Sequence, residues 1–128
     1  MKKFKIIVLI FLICFITACS NDKSTYQTIS PKEAYKELNS NSEIVLLDVR
    51  TVEEHLEENI PGSTIVPIDN LDKNIENIIK DKNIKIFVYC RSGNRSKTAS
   101  LLLINLGYTN VYDLGGIINW PYEKGSLN

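Results

Sequence analysis

The chain has 128 residues, with 15 basic and 15 acidic side chains, 44% hydrophobic residues and three cysteines. That composition is globular, and the length after removal of a leader fits one domain. Without Lys2, Lys3 and Lys5 of the leader, 12 basic residues face 15 acidic ones, and so mild an acidic balance argues against nucleic acid as a partner.

The first residues read as a targeting segment. Met1-Lys2-Lys3-Phe4-Lys5 is a basic stretch, and Ile6 to Ile16 is an apolar run too short for a bilayer, which takes about 20 residues. Its length suits a secretory signal. Ile16-Thr17-Ala18-Cys19-Ser20 follows and resembles the lipobox of bacterial lipoproteins. That resemblance implies cleavage before Cys19, lipidation of its sulfur, and residence on the extracytoplasmic side of the cell membrane. An ordinary signal peptide or an uncleaved anchor is the alternative. The expected organisation is a signal peptide over 1–18, a lipidated Cys19 with a short polar linker over 19–25, and one domain over 26–128. Loss of Cys14 with the leader and acylation of Cys19 leave Cys90 as the lone free thiol, with no intramolecular disulfide partner.

Within the domain, strand and helix patterns alternate. Tyr26 to Ile29 is a short strand. Ser30-Pro31-Lys32-Glu33 has the form of a capping box, with proline in the first turn, and its helix reaches about Leu38. Glu43 to Val49 is an apolar run, as expected of a parallel strand buried on both faces. Thr51-Val52-Glu53-Glu54 is a second capping box, opening a helix to about Glu58. Ile60-Pro61-Gly62 is a turn and Thr64 to Pro67 a strand. Asp69 or Asn70 caps a helix with Leu71, Ile75, Ile78 and Ile79 on one face. Ile84 to Tyr89 is a strand, Lys97 to Leu106 a helix closed by Gly107, Asn110 to Tyr112 a strand, Gly115-Gly116 a turn, and Ile117 to Trp120 a last short helix. This alternation predicts an α/β fold: a central parallel sheet of about five short strands with helices on both faces. Its ligand site is expected beyond the carboxyl ends of the strands, where Cys90 lies and where Asp48-Val49-Arg50 could also lie.

Cys90-Arg91-Ser92-Gly93-Asn94-Arg95-Ser96 therefore joins a strand end to a helix start. Loop amides and the helix dipole favour a thiolate there, and Arg91 and Arg95 add positive charge. These residues propose a nucleophilic cysteine in an anion-binding loop. Gly93 permits positive φ in a tight ring, Asn94 tolerates it, and Ser96 reads as an N-cap. His55, the only histidine, stands among Glu53, Glu54, Glu57 and Glu58. No second ligand is signalled at metal spacing, so no metal site is expected and His55 reads as part of a solvated helix face. Arg50 reads either as a substrate contact or as the partner of Glu53 or Glu54. Lys80, Lys82 and Lys85 read as solvated charges, and Trp120 and Tyr122 as packing residues.

Taken together, Asp48-Val49-Arg50 with Glu53-Glu54, Ile60-Pro61-Gly62-Ser63, Val88-Tyr89-Cys90 with its loop, Gly107-Tyr108, Leu114-Gly115-Gly116 and Trp120 resemble a single-domain rhodanese over about residues 26–124. One departure precedes the Ile60 turn, where Glu58 and Asn59 replace the Gly-His common in that family. The resemblance implies sulfurtransferase chemistry without a cofactor. The Cys90 thiolate would take the outer sulfur of a donor such as thiosulfate and hold it as a persulfide until cyanide or a thiol removes it, a covalent two-step route. Arg91, Ser92, Gly93, Asn94, Arg95 and Ser96 would cradle that sulfur. Arg91 would meet the sulfite end, and Arg95 would point at the loop carbonyls or the substrate. The arginine of the loop comes at C-x4-R, one residue sooner than in the cysteine phosphatases, and the shorter ring suits one sulfur better than a phosphate. Two alternatives stand beside this reading. One is a non-catalytic rhodanese-like binding module, and the other is a sulfur carrier whose acceptor is a protein thiol. No C-x-x-C motif is present for disulfide exchange.

Overall fold

A computed structural model describes residues 25–41 and 43–128. The expected leader, Cys19 and most of the expected linker lie outside the described residues. Five strands form one sheet: β1 (Gln27–Thr28), β2 (Val45–Asp48), β3 (Thr64–Ile65), β4 (Ile86–Cys90) and β5 (Val111–Gly116). Their order is β1-β5-β4-β2-β3 and every pairing is parallel, as the alternating pattern predicted.

Four α-helices connect them: α1 (Pro31–Ser40), α2 (Val52–Glu57), α3 (Leu71–Ile78) and α4 (Asn94–Asn105). Both capping boxes form. Ser30 Oγ accepts from the Glu33 amide at 3.2 Å and Thr51 Oγ1 from the Glu54 amide at 3.2 Å, which satisfies amides a helix start otherwise leaves unpaired.

The central strand β4 is buried along its whole length, and its side chains alternate between two cores. Ile86, Val88 and Cys90 join Leu47, Val49 and Val111 beneath α3 and α4, through Leu71, Ile75, Ala99 and Leu103. Phe87 and Tyr89 join Leu46 and Leu114 beneath Ala34 of α1, Ile60, Ile117 and Trp120. Both faces of the sheet are therefore covered. A sheet so covered sends its crossovers out at the carboxyl edge, where Cys90 ends β4 and Asp48 ends β2.

Several local expectations are corrected. Helix α4 starts at Asn94, three residues earlier than expected, because Gly93 at φ 106° takes the N-cap position. Gly115-Gly116 is not a turn but the end of β5, after a register shift opposite Val88 and Tyr89. Ile78 is 48% exposed, and Ile79, just past α3, is buried in its place. Leu101 faces outward as well, at 49% exposure. Lys82 and Lys85 are paired rather than merely solvated, with Glu76 at 2.7 Å and Glu37 at 2.8 Å.

Candidate active site

Strand β4 delivers Cys90 to the carboxyl edge of the sheet, and the chain then folds back over its sulfur. The Gly93 amide donates to Cys90 Sγ at 3.0 Å, and the Ser96 amide does so at 3.4 Å. Only Gly93 in this loop has positive φ; Asn94 does not use it. Ser96 does not cap α4. It sits in the first turn, buried, with its Oγ donating to the Gly93 carbonyl at 3.0 Å. Among the described residues the amides of Ser92, Asn94 and Arg95 donate to no protein acceptor, so the loop keeps further N–H groups uncommitted. Such a concave run of amides at the start of a 12-residue helix favours an anion.

Beneath the loop lies the end of β5. A Cβ on Gly116 would come within 2.7 Å of Ser92 Cα and closer still to the Arg91 carbonyl oxygen. The absent side chain is what lets the loop rest on the strand. The Ile118 amide then donates to that Arg91 carbonyl at 3.2 Å. Sequence reasoning took this glycine pair for a turn; a glycine in a strand can instead mark a close backbone approach.

Arg95 is engaged by a carboxylate. Its Nη1 and Nη2 donate to the two carboxylate oxygens of Glu54 at 2.8 and 2.9 Å, a forked pair. Of the two expected directions, the loop carbonyls are not where its guanidinium bonds. The Arg95 bond holds the Glu54 carboxyl down at about 2 against the opposing effect of burial, with help from the Thr51 amide. The same pair raises Arg95, and the nearby Cys90 charge adds to that.

Arg50 is 4% exposed and pairs with neither Glu53 nor Glu54. Its Nη2 donates to Asp48 Oδ2 at 2.7 Å and to the Glu58 carbonyl at 2.6 Å, and its Nε donates to Asp48 Oδ1 at 3.0 Å. Burial lowers its pKa, but the bond and charge of Asp48 outweigh that and the net shift is upward. Its guanidinium carbon stands 5.5 Å from the centre of the Tyr89 ring. His55 is not on a solvated face. It is 6% exposed, with Nδ1 2.9 Å from Asp48 Oδ2. Asp48 is fully buried, and a buried carboxylate in an apolar strand requires partners; that was the signal that His55 and Arg50 turn inward. Asn59, at the departure before the Ile60 turn, is buried and donates from Nδ2 to the His55 carbonyl at 2.9 Å. Tyr89, whose hydroxyl accepts from the Ile60 amide at 3.1 Å and bonds Ser63 Oγ at 2.9 Å, pins the same turn. Burial first and the Asp48 charge second push its pKa up to about 12.

A cleft of about 490 Å³ opens beside the loop. Arg50, Glu54, Glu57, Glu58, Arg91, Ile117 and Ile118 line it. Arg91 is exposed on the loop side and has no ion-pair partner among the described residues. The structure therefore brings together a buried Cys90 sulfur, the loop amides and an exposed Arg91, while Arg50, on the cleft wall, is held by Asp48 and Arg95 by Glu54.

The comparisons agree with this fold. The family model described as rhodanese-like domain matches residues 30–122. Thiosulfate sulfurtransferase PspE of Escherichia coli is 35% identical over 81 residues, covering 62% of this chain and 78% of its own length. A sulfurtransferase of Allochromatium vinosum is 34% identical over 93 residues, covering 72% and 85%. The crystal structure of a rhodanese-related protein from Thermoplasma volcanium superposes with a TM-score of 0.69 at 30% identity, covering 80% of this chain and all of that one. Other curated relatives are larger, and this chain spans 21% to 34% of three of them. The parallel five-stranded sheet, the loop that closes on Cys90 and a family match over 93 of 128 residues lead to one conclusion: the chain belongs to the rhodanese-like domain family, among relatives that bear the name sulfurtransferase.

Proposed function

We propose that the protein is an enzyme that moves sulfane sulfur from a small donor to a thiophilic acceptor through a persulfide on Cys90. The observation that carries this reading is the sulfur of Cys90 held by the Gly93 and Ser96 amides at 3.0 and 3.4 Å, at the start of α4. Amides at the start of a helix, aimed at one sulfur, suit a group that carries negative charge during transfer.

With thiosulfate as donor, the Cys90 thiolate attacks the outer sulfur. A new S–S bond forms, the old S–S bond breaks, and its electron pair leaves with sulfite. In the second step the acceptor, cyanide or a thiolate, attacks the outer sulfur of the persulfide. The Cys90 thiolate departs, and thiocyanate or a new persulfide is released. No net redox change or cofactor is involved in either step. The outer persulfide sulfur carries the negative charge, and the loop amides of Ser92, Asn94 and Arg95 receive it. Arg91 meets the anionic part of the donor. Asp48, Arg50 and His55 hold the end of β2 against the turn beneath the cleft and take no part in bond making.

The test is intact mass of the reduced domain from Ser20 onward after incubation with thiosulfate. A gain of one sulfur atom, located on Cys90 and removed by cyanide with release of thiocyanate, is expected, and Cys90→Ser is expected to stay at its starting mass. A folded protein with a titratable thiol that never gains sulfur from thiosulfate or polysulfide would overturn the enzyme reading in favour of a binding module. Transfer at the outer face of the membrane, through a lipid on Cys19, belongs to the same proposal. Its support is the lipobox-like Ile16-Thr17-Ala18-Cys19, and fatty-acid labelling that persists in Cys19→Ala would remove it.

A further inference from the structure

The chain departs from its family at two places, and the fold brings them into contact. One is Glu58-Asn59, at the end of α2. The other is the segment beyond residue 122, where the family match stops. The Gly125 amide donates to the Asn59 carbonyl at 2.8 Å and the Asn59 amide to the Gly125 carbonyl at 2.9 Å, an isolated antiparallel bridge. Just before it, the Leu56 carbonyl accepts from the Leu127 amide at 2.9 Å and from Ser126 Oγ at 3.2 Å. Lys124 Nζ stands 3.6 Å from Glu58 Oε1. Gly125 fits here because it has no side chain, since a Cβ would lie 3.0 Å from Asn59 Oδ1. The root of the segment is fixed as well: buried Trp120 donates from Nε1 to the Glu123 carbonyl at 3.3 Å.

These bonds answer a need of α2. It has six residues, well short of the roughly 12–15 at which a helix begins to stand alone in water, and its last carbonyls have no partner within the helix. His55 finds one in Asn59 Nδ2 at 2.9 Å, and Leu56 finds two in residues 126 and 127. The other end of α2 carries Glu54, whose carboxylate holds Arg95 of the Cys90 loop at 2.8 and 2.9 Å. Cys90 itself is buried, so a reagent reaches its sulfur when this edge opens. We propose that residues 124–127 are a strap that governs that opening, with Asn59 as the positioning residue on which it acts. With the strap in place, α2 is held at both ends and steadies the Cys90 loop through Glu54. With the strap released, α2 frays from its carboxyl end and Arg95 gives up its partner. Such control of exposure holds whether or not Cys90 transfers sulfane sulfur.

The experiment is alkylation of Cys90 by iodoacetamide, followed by intact mass, alongside amide hydrogen exchange. It uses the protein from Ser20 onward, which holds every strand and helix of the fold and has Cys90 as its lone thiol. The strap is removed by ending the chain after Glu123. Exchange at the Glu58 and Asn59 amides is expected to quicken about tenfold, from the loss of net hydrogen bonding, and alkylation of Cys90 by a similar factor. Glu54→Gln cuts the link between α2 and the loop. In that background, removal of the strap is expected to change alkylation by less than about twofold, the non-additivity of coupled sites. Asn59→Ala, which keeps every residue of the strap, is expected to quicken alkylation in the same direction by a smaller factor, and it decides the matter if the shortened chain does not fold. Alkylation unchanged by these alterations in folded protein would overturn the inference. So would an equal acceleration with and without Glu54→Gln, the mark of a general loosening that does not pass through the pair.

Discussion

Gly116→Ala is the sharpest perturbation of the site, because it alters no polar group and adds a single methyl at the strand position paired with Cys90. Its added methyl would lie 2.7 Å from Ser92 Cα, where ordinary contact begins at 3.4 Å. At least 0.7 Å must therefore be made up there, and more against the Arg91 carbonyl. Both neighbours are backbone, so no rotamer can relieve the clash. Either the Cys90 loop lifts or β5 moves, and β5 is fixed in the sheet between β1 and β4. The loop is the softer of the two. Lifting it strains the 3.2 Å bond from the Ile118 amide to the Arg91 carbonyl and draws the Gly93 amide off Sγ, where it now sits at 3.0 Å. Overpacking of this kind costs about 1–3 kcal/mol of stability, and a misplacement near 1 Å at a reacting group costs on the order of 100-fold in rate. Thermal denaturation and sulfur-transfer kinetics on the same preparation separate the two. The expected result is a folded protein with kcat/KM down about 100-fold. Transfer within about threefold of wild type would show that the loop's contact with β5 does not set the sulfur's position.

Other outcomes follow from the same geometry. Glu54→Gln removes a carboxyl whose pKa falls from 4.5 to about 2 on folding. A depressed carboxyl stabilises the fold fully above its unfolded pKa and loses that contribution as pH drops toward the folded one. Wild type is therefore expected to exceed the variant by about 1 kcal/mol at pH 7, with the gap closing between pH 4.5 and 2 in urea titrations; a gap independent of pH would contradict the pairing. Tyr89→Phe leaves the buried Ile60 amide without its acceptor and should cost about 1–3 kcal/mol, read by urea denaturation, with loading of Cys90 preserved. Arg91→Ala should weaken thiosulfate use more than use of an uncharged persulfide donor. Equal losses would make Arg91 a support for the loop.

The order of elements was legible because alternation leaves few choices. Apolar runs at 43–49 and 84–89, with capping boxes at Ser30 and Thr51, force parallel strands joined by helices. Cys90 was legible for the same reason, since a polar loop between an apolar strand and a helix can lie only at the sheet's carboxyl edge. What escaped were pairings set by distance in space. Arg95 and Glu54 are 41 positions apart, and no local pattern couples them. His55 looked solvated because its neighbours are glutamates; its burial follows from Asp48, seven residues earlier, which demands a partner inside. Ser96 looked like a cap because serine favours that position, yet Gly93 reaches the left-handed region at less strain and starts the helix sooner. Gly115-Gly116 looked like a turn because glycine pairs usually mark one, whereas here a missing Cβ makes room for another segment of backbone.

The Glu54 carboxylate binds two parts of the molecule at once. One oxygen accepts from the Thr51 amide at 2.9 Å and from Arg95 Nη1, and the other accepts from Arg95 Nη2. The first turn of α2 and the first turn of α4 thus share a single knot. Fraying of either turn gives up the pair and so loosens the other. Local opening at this edge is therefore cooperative: the wall that carries Glu57 and the loop that carries Cys90 breathe as one unit. Shelter of the Cys90 sulfur is thereby linked to the wall of the neighbouring cleft.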